Sequence, residues 1–180
     1  MVSYSALLRC GIFYGKLIAM LLDSTLTPAI WQCSSILTEK PAMWISYSDD
    51  LVHWEEPTLI AVSEQTWEYK KIGGAAPPIR TNKGWLTLYH GVDRDNVYRA
   101  GAMLLDLEEP EKVVARAKSP ILEPQEYYEK FGLFIPNVIF PTGNVVKDGL
   151  LHIYYGCCDT AISLATVPLD ELVDFVWQDN

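Results

Sequence analysis

The 180-residue chain is 49% hydrophobic and 21% charged, a balance that suits one globular domain with a real core and excludes a disordered chain. Its formal net charge of −9 argues against nucleic acid as a partner, because phosphate backbones require a basic surface. A small phosphate ligand stays compatible, since a few placed cations override the global field locally.

From the N-terminus, Arg9, Gly11, Gly15 and Lys16 interrupt the apolar residues, and the longest clean run, Leu17 to Leu22, is too short for a signal core or a membrane span. No targeting segment and no membrane partner are expected. The rest reads as short strands: Leu17–Leu22, Met43–Tyr47, Trp85–Tyr89, Ala100–Leu105, Asn144–Lys147, Leu150–Tyr155 and Ile162–Val167, most of them bounded by Gly, Pro, Asp or Asn. Lys147-Asp148-Gly149 signals a primed two-residue hairpin turn, and Thr81-Asn82-Lys83-Gly84 reads similarly. Helical signal is confined to single turns at Glu108–Lys112 and Pro168–Leu172, with one more over Gln125–Phe131. The expected fold class is therefore all-β.

The strands repeat. Gly84-Trp85-Leu86-x-Leu88-Tyr89 leads through a polar loop and a second strand to Leu105-Asp106-Leu107, and Gly149-Leu150-Leu151-x-Ile153-Tyr154 leads likewise to Leu169-Asp170. A looser copy runs from Gly15-Lys16-Leu17 through Trp44–Ser48 to Asp50-Leu51. Units of about 40 to 50 residues built from strands mark a β-propeller. Three approximate blades result, 11–62, 72–123 and 133–176. Three blades leave open sheet edges that need a cover, which predicts a homo-oligomer or another partner.

Four cysteines, Cys10, Cys33, Cys157 and Cys158, lack metal-ligand spacing. They read as buried free thiols of a reducing, cytoplasmic setting. In Ser46–Trp54, the Ser and Asp residues are expected to cap a turn and Trp54 to wedge between blades, with His53 a turn residue rather than a base. The least ordinary stretch is Lys71-Ile72-Gly73-Gly74-Ala75-Ala76-Pro77-Pro78-Ile79, followed by Trp85–Asp93 with His90 near its end. A lysine and a histidine can hold an anion together, and a glycine-proline turn lets backbone approach a ligand. Lys70 competes with Lys71 for that role by a one-residue slip.

Lys71-Ile72-Gly73-Gly74, Pro77-Pro78-Ile79, Tyr89-His90-Gly91-Val92, Tyr98-Arg99, Leu105-Asp106-Leu107, Pro120–Pro124, Pro136-Asn137-Val138-Ile139-Phe140-Pro141 and Tyr154-Tyr155-Gly156 together resemble the β-1,4-mannosyl phosphorylases of glycoside hydrolase family 130, over residues 40 to 175. The resemblance implies a five-bladed β-propeller of which this chain covers roughly the last three blades. It implies phosphorolysis of β-linked mannosides to α-mannose 1-phosphate with inversion. Inorganic phosphate would be co-substrate, β-mannoside oligosaccharides the sugar partner, and no metal or organic cofactor would take part. Lys71 and His90 match the family's phosphate-binding lysine and histidine; Pro136, Asn137 and Asp159 match positions that shape the sugar site, and Tyr98 and Arg99 lie near the channel.

The family's catalytic aspartate has no counterpart in this chain, so no catalytic residue is assigned. Leu21, Leu22 and Asp23 stand where the family has a histidine-arginine-proline-like stretch, and exchanging a cation for a carboxylate weakens anion binding there. The chain alone is expected to be weak or inactive. Two other readings stand beside this one: a non-catalytic remnant that binds glycan or phosphate, and a glycosidase of another five-bladed family, for which Asp93, Asp95 and Asp159 would supply the carboxylates.

Overall fold

A computed structural model of the chain describes residues 17–20, 29–34, 40–50 and 52–180, the first two segments as backbone. Leu21, Leu22, Asp23, Cys10 and the start of the first expected blade lie outside these residues, as does the Cys33 side chain. The described chain is all-β with short helical additions. Strands β1 (Leu17–Met20), β2 (Ala29–Ser34), β3 (Ala42–Tyr47) and β4 (Thr58–Val62) pair in sequence order as one antiparallel sheet. The second sheet holds β5 (Lys71–Gly74), β6 (Ile79–Arg80), β7 (Trp85–Val92), β8 (Tyr98–Leu105) and β9 (Val113–Arg116). The third holds β10 (Ile139–Lys147), β11 (Leu150–Cys157) and β12 (Ala161–Pro168).

The second sheet is covered on both faces, which is why every residue of β7 is buried. Side chains alternate along a strand. Trp85 and Tyr89, with Met103 and Leu105 of β8, pack against Met43, Ile45 and Ala61 of the first sheet. Leu86 and Leu88, with Ala102 and Leu104, meet Leu151 and Ile153 of the third. Fully burying a side chain of this size contributes roughly 1.5–3 kcal/mol.

The second helix is longer than the single turn expected at Pro168–Leu172. α2 spans Leu169–Gln178 and inserts Leu172, Val173 and Val176 into the core shared by the second and third sheets. Asp170 and Glu171 lie in its first turn, where carboxylates offset the exposed N–H groups. The segment Gln125–Phe131 supplies the short helix α1 (Tyr127–Lys130). Lys71–Gly74, read as part of a glycine-proline turn, is instead a strand, because β7 supplies its hydrogen-bonding partners from Tyr89 to Val92.

Both expected turns form. Asp148 and Gly149 take φ of 53° and 77°, as a primed turn requires. Thr81–Gly84 closes by Thr81 N–H donating to the Gly84 carbonyl at 3.0 Å, a longer loop than the two-residue turn of Asp148-Gly149. In the Ser46–Trp54 stretch, Asp50 Oδ1 accepts from the N–H groups of Val52 at 2.8 Å and His53 at 2.7 Å, and Asp50 Oδ2 lies 2.6 Å from His53 Nδ1. The Asp50 carboxyl sits far below the usual range, held there by the backbone N–H of His53 first and its ring second. The His53 imidazole is raised by the same hydrogen bond and charge. Its contribution to stability is therefore present below the unfolded-state pKa of about 6.5 and fades as pH rises through the higher folded value. An NMR titration should show His53 above that reference and Asp50→Asn returning it; an unshifted wild-type ring would contradict the turn.

Two glycines make room for a ring stack between the first and second sheets. Trp67 and Tyr89 lie 5.6 Å apart, centroid to centroid. A Cβ on Gly101 would stand 2.5 Å from atoms of both rings, and one on Gly91 would stand 2.4 Å from Trp67. Gly101→Ala should therefore destabilise by about 1–3 kcal/mol, the usual range for an overpacked core. Urea unfolding reads this directly, and a variant as stable as wild type would show that the rings are not fixed.

Candidate functional site

The topology gathers all seven proposed site residues at one end of the stacked sheets. Lys71 opens β5, His90 lies two residues before the end of β7, and Tyr98 and Arg99 open β8. Pro136 and Asn137 stand just before β10, and Asp159 lies in the turn that follows β11. Antiparallel pairing makes chain positions 19 apart neighbours. Lys71 faces Val92, and Gly73 faces His90. Lys71 and His90 thus share one face of adjacent strands as a diagonal pair, a relation that sets residues roughly 7–8 Å apart. A one-residue slip to Lys70 would turn the amine to the other face. Lys70 is engaged elsewhere, donating to Asn96 Oδ1 at 2.8 Å.

His90 is buried. Its ring lies 4.6 Å from that of Phe140, tilted by 42°, and 6.2 Å from that of Tyr98, nearly parallel. Phe140 belongs to the Pro136–Pro141 motif, which carries no assigned role for it, and joins the candidate site through its ring contact with His90. Its place four residues after Pro136 and directly before Pro141 gives no signal of a ring contact with another sheet.

Tyr98 and Arg99 separate. Tyr98 stacks toward His90, whereas Arg99 pairs across β7 with Gly91 on the opposite face. There Arg99 Nη1 donates to Asp93 Oδ2 at 2.7 Å, and its Nε donates to Glu123 Oε2 at 3.2 Å. Burial works against the Asp93 charge, but Arg99 and the N–H groups of Val97 and Asp95 outweigh it and hold the carboxyl low. Asp93, Asp95 and Arg99 line a cleft of about 520 Å³ with Thr66, Trp67, Tyr69 and Arg94. Asp159 is absent from that lining, so the three carboxylates proposed for a glycosidase do not converge on this cleft.

Asn137 and Asp159 are both held by unusual backbone. Asn137 has φ of 58°, and its carbonyl accepts from Tyr98 N–H at 2.9 Å. The third sheet is thereby tied to the strand that carries Tyr98. Cys158 and Asp159 have φ of 50° and 55°, and Thr160 N–H donates to the Cys157 carbonyl at 2.9 Å. This is a primed turn built without glycine, and it presents Asp159 to solvent. Gly132 lies against the same turn: a Cβ there would come within 2.2 Å of the Cys158 carbonyl oxygen and 2.3 Å of its Cβ. Gly132→Ala should displace the Asp159 turn, read as amide shift changes centred on Cys158–Thr160; changes confined to Gly132 itself would contradict this.

Cys157 and Cys158 are buried free thiols. The Cys158 thiol donates to the Glu129 carbonyl at 2.9 Å. Among the described residues no group of three or more His, Cys, Asp or Glu is placed to hold a metal ion, and no helix is long and apolar enough to cross a membrane.

The model of the β-1,4-mannooligosaccharide phosphorylase family, glycoside hydrolase family 130, matches residues 23–178. The chain is 47% identical over 133 residues to a 1,2-β-oligomannan phosphorylase of Thermoanaerobacter sp. (strain X514), a match taking in 73% of this chain and 45% of that protein. It is 42% identical over 139 residues to a β-1,4-mannooligosaccharide phosphorylase of Ruminococcus albus, taking in 74% of this chain and 41% of the relative. The β-1,2-mannobiose phosphorylase of Listeria innocua, solved with β-1,2-mannobiose, superposes with a TM-score of 0.82 at 31% identity, over 92% of this chain and 47% of its own. The chain spans less than half the length of each of these three proteins.

Proposed function

The chain belongs to glycoside hydrolase family 130, and we propose that it supplies the phosphate-binding part and one wall of the sugar site of a β-mannoside phosphorylase. In this reading its three sheets are three of five propeller blades, close to 11–62, 72–123 and 133–176. The observation that carries it is the diagonal placement of Lys71 and His90 on one face of β5 and β7. An ammonium and an imidazole so placed can hold phosphate beside the anomeric carbon. Attack by a phosphate oxygen forms the new C–O bond as the glycosidic C–O bond breaks. The leaving oxygen needs a proton from a carboxylic acid, a role assigned to no residue of this chain.

Tyr98, Pro136, Asn137 and Asp159 are assigned to the sugar side, with Asp159 accepting from mannose hydroxyls. Arg99 acts from the far face of β8, through Asp93, and orders the loop that follows β7. Inorganic phosphate is the co-substrate and no other cofactor is assigned. The buried thiols favour a cytoplasmic setting. The sugar is assigned as a β-linked mannoside, with β-1,2 ahead of β-1,4, because the relative at 47% identity is named for the former and the one at 42% for the latter.

The isolated chain should release little or no mannose 1-phosphate from β-1,2- or β-1,4-mannobiose and phosphate. Robust turnover would overturn the assignment of an incomplete site. A second reading, a remnant that binds glycan without turnover, follows from the same absence of an acid. Saturable mannobiose binding that is indifferent to phosphate would favour it.

A further inference from the structure

The cleft beside Asp93 takes no part in the proposed chemistry. It opens at the same end of the sheets as Lys71 and His90, but on the opposite face of β7 and β8, where Gly91 pairs with Arg99. One wall comes from the 3-10 turn Thr66–Glu68 and Tyr69 after it, the other from the loop that follows β7 and the start of β8. Both walls are fixed from below. Trp67 is buried, and its Nε1 donates to the Lys118 carbonyl at 2.8 Å. In the facing loop, Asp93 Oδ1 accepts from the N–H groups of Asp95 at 2.8 Å and Val97 at 3.0 Å, while Oδ2 holds Arg99. A site already ordered in the free protein loses little conformational freedom on binding.

The rim is the reverse: Thr66, Tyr69, Arg94 and Asp95 are exposed. Tyr69 is 52% exposed, and the Arg94 guanidinium carbon lies 4.1 Å from its ring centroid, which joins the two walls. Among the described residues, the Thr66 hydroxyl and the Asp95 carboxylate enter no hydrogen bond or ion pair. This set of groups defines a class of ligand. The two carboxylates and two guanidiniums of the lining cancel, so the cleft favours neither an anion nor a cation, although the chain as a whole carries −9. Donors and acceptors stand together, as hydroxyl groups require, since each hydroxyl both gives and accepts a hydrogen bond. The Tyr69 ring adds an apolar surface with a polar tip. A volume of about 520 Å³ lies within the span of small-molecule sites. A neutral sugar ring meets every one of these terms, with its C–H groups on Tyr69 and its hydroxyls toward Thr66, Arg94 and Asp95.

We propose that this cleft is an accessory binding site for a neutral oligosaccharide, with Tyr69 carrying a sugar ring and Arg94 and Asp95 holding its hydroxyls. It binds and does no chemistry. The inference rests on the β-mannoside reading only for the choice of probe, since the cleft and the Lys71–His90 pair lie on opposite faces of one sheet.

The test titrates the isotopically labelled 180-residue chain with β-1,2-mannotriose and follows its amide NMR signals. Saturable shifts are expected at residues 66–69 and 93–97. Tyr69→Ala and Asp95→Ala, both at exposed positions, should each raise the Kd read at these signals at least fivefold while leaving the thermal midpoint unchanged. The inference is overturned if the trisaccharide moves none of these signals, or if both variants bind it as tightly as wild type. It is equally overturned if inorganic phosphate moves the same signals at lower concentration than the trisaccharide does. Shifts confined to Asn137 and residues 158–160 would overturn the accessory site while supporting the mannoside reading. Shifts at the cleft with none at Asn137 and Asp159 would support the accessory site and count against the sugar side of that reading alone.

Discussion

Glu68→Ala is expected to destabilise the chain by about 3–5 kcal/mol, the range for removing one partner of a buried ion pair. Glu68 is fully buried at the junction of the first and second sheets. One oxygen, Oε2, accepts from the N–H groups of Glu64 at 2.9 Å and Gln65 at 3.1 Å. The other, Oε1, accepts from the Tyr89 hydroxyl at 2.7 Å and lies 2.8 Å from Arg116 Nη2. Arg116 also donates from Nη1 to the Val62 carbonyl at 2.8 Å, so this group binds β4, the 3-10 turn Thr66–Glu68, β7 and β9 together. Removing the carboxylate leaves the buried Arg116 guanidinium with only the exposed Glu64 carboxylate, 3.8 Å away, as counter-charge, and leaves a phenol without its acceptor. Glu68→Leu combined with Arg116→Met should cost markedly less than Glu68→Ala, since no buried charge remains unpaired. Urea midpoints of the two variants against wild type decide the matter. A single variant within about 1 kcal/mol of wild type would mean that water already reaches Arg116.

Glu129→Gln is expected to have the second largest effect and to change the pH dependence. The same device recurs at the next junction: Glu129 Oε2 accepts from Gln125 N–H at 2.8 Å and Glu126 N–H at 2.9 Å, and Oε1 accepts from the Tyr155 hydroxyl at 2.7 Å. Burial opposes the Glu129 charge, yet the N–H groups of Glu126 and Gln125 and the Tyr155 hydroxyl win, and the carboxyl is lowered. The stability this provides is fully present above the unfolded glutamate pKa of about 4.3, and is lost as pH falls through the lower folded value. Wild type should therefore lose stability on acidification more steeply than Glu129→Gln. The amide keeps the shape but not the charge, and each imperfectly satisfied buried group costs about 1–3 kcal/mol. Parallel stability-pH curves for the two proteins would contradict this account of Glu129.

The strands that could be read from sequence are those that pack on a core. β7, β8 and β11 carry aromatic and aliphatic residues on their buried rows. β5 was missed because Ile72-Gly73-Gly74 has low strand propensity; its pairing with β7 makes it a strand. β2, β4, β6 and β9 are short or lie beside charged and turn residues, and neighbouring strands supply their order. α2 was cut short although Leu169, Leu172, Val173 and Val176 recur at helical spacing, because only its first turn was weighed. The Gln65-x-x-Glu68 and Glu126-x-x-Glu129 spacings are visible capping boxes, but nothing local announces that Tyr89 and Tyr155, 21 and 26 positions on, complete them.

The candidate site was legible only as a set of motifs. Their order along the chain gave the resemblance, while the placement of Lys71, His90, Asn137 and Asp159 at one end of the second and third sheets is a property of topology. That Arg99 faces away from Tyr98 follows from strand alternation, yet the boundaries of β8 had to be known first.

Phosphate affinity tests the central claim most directly. Titration of the wild-type chain with inorganic phosphate by calorimetry should give saturable binding, and Lys71→Ala, at a half-buried strand start outside the packed core, should weaken it at least tenfold, which corresponds to about 1.4 kcal/mol. Lys70→Ala should leave it unchanged. Wild-type protein that does not bind phosphate, or Lys71→Ala that binds as tightly as wild type, would contradict the assignment of an oxyanion to Lys71 and His90.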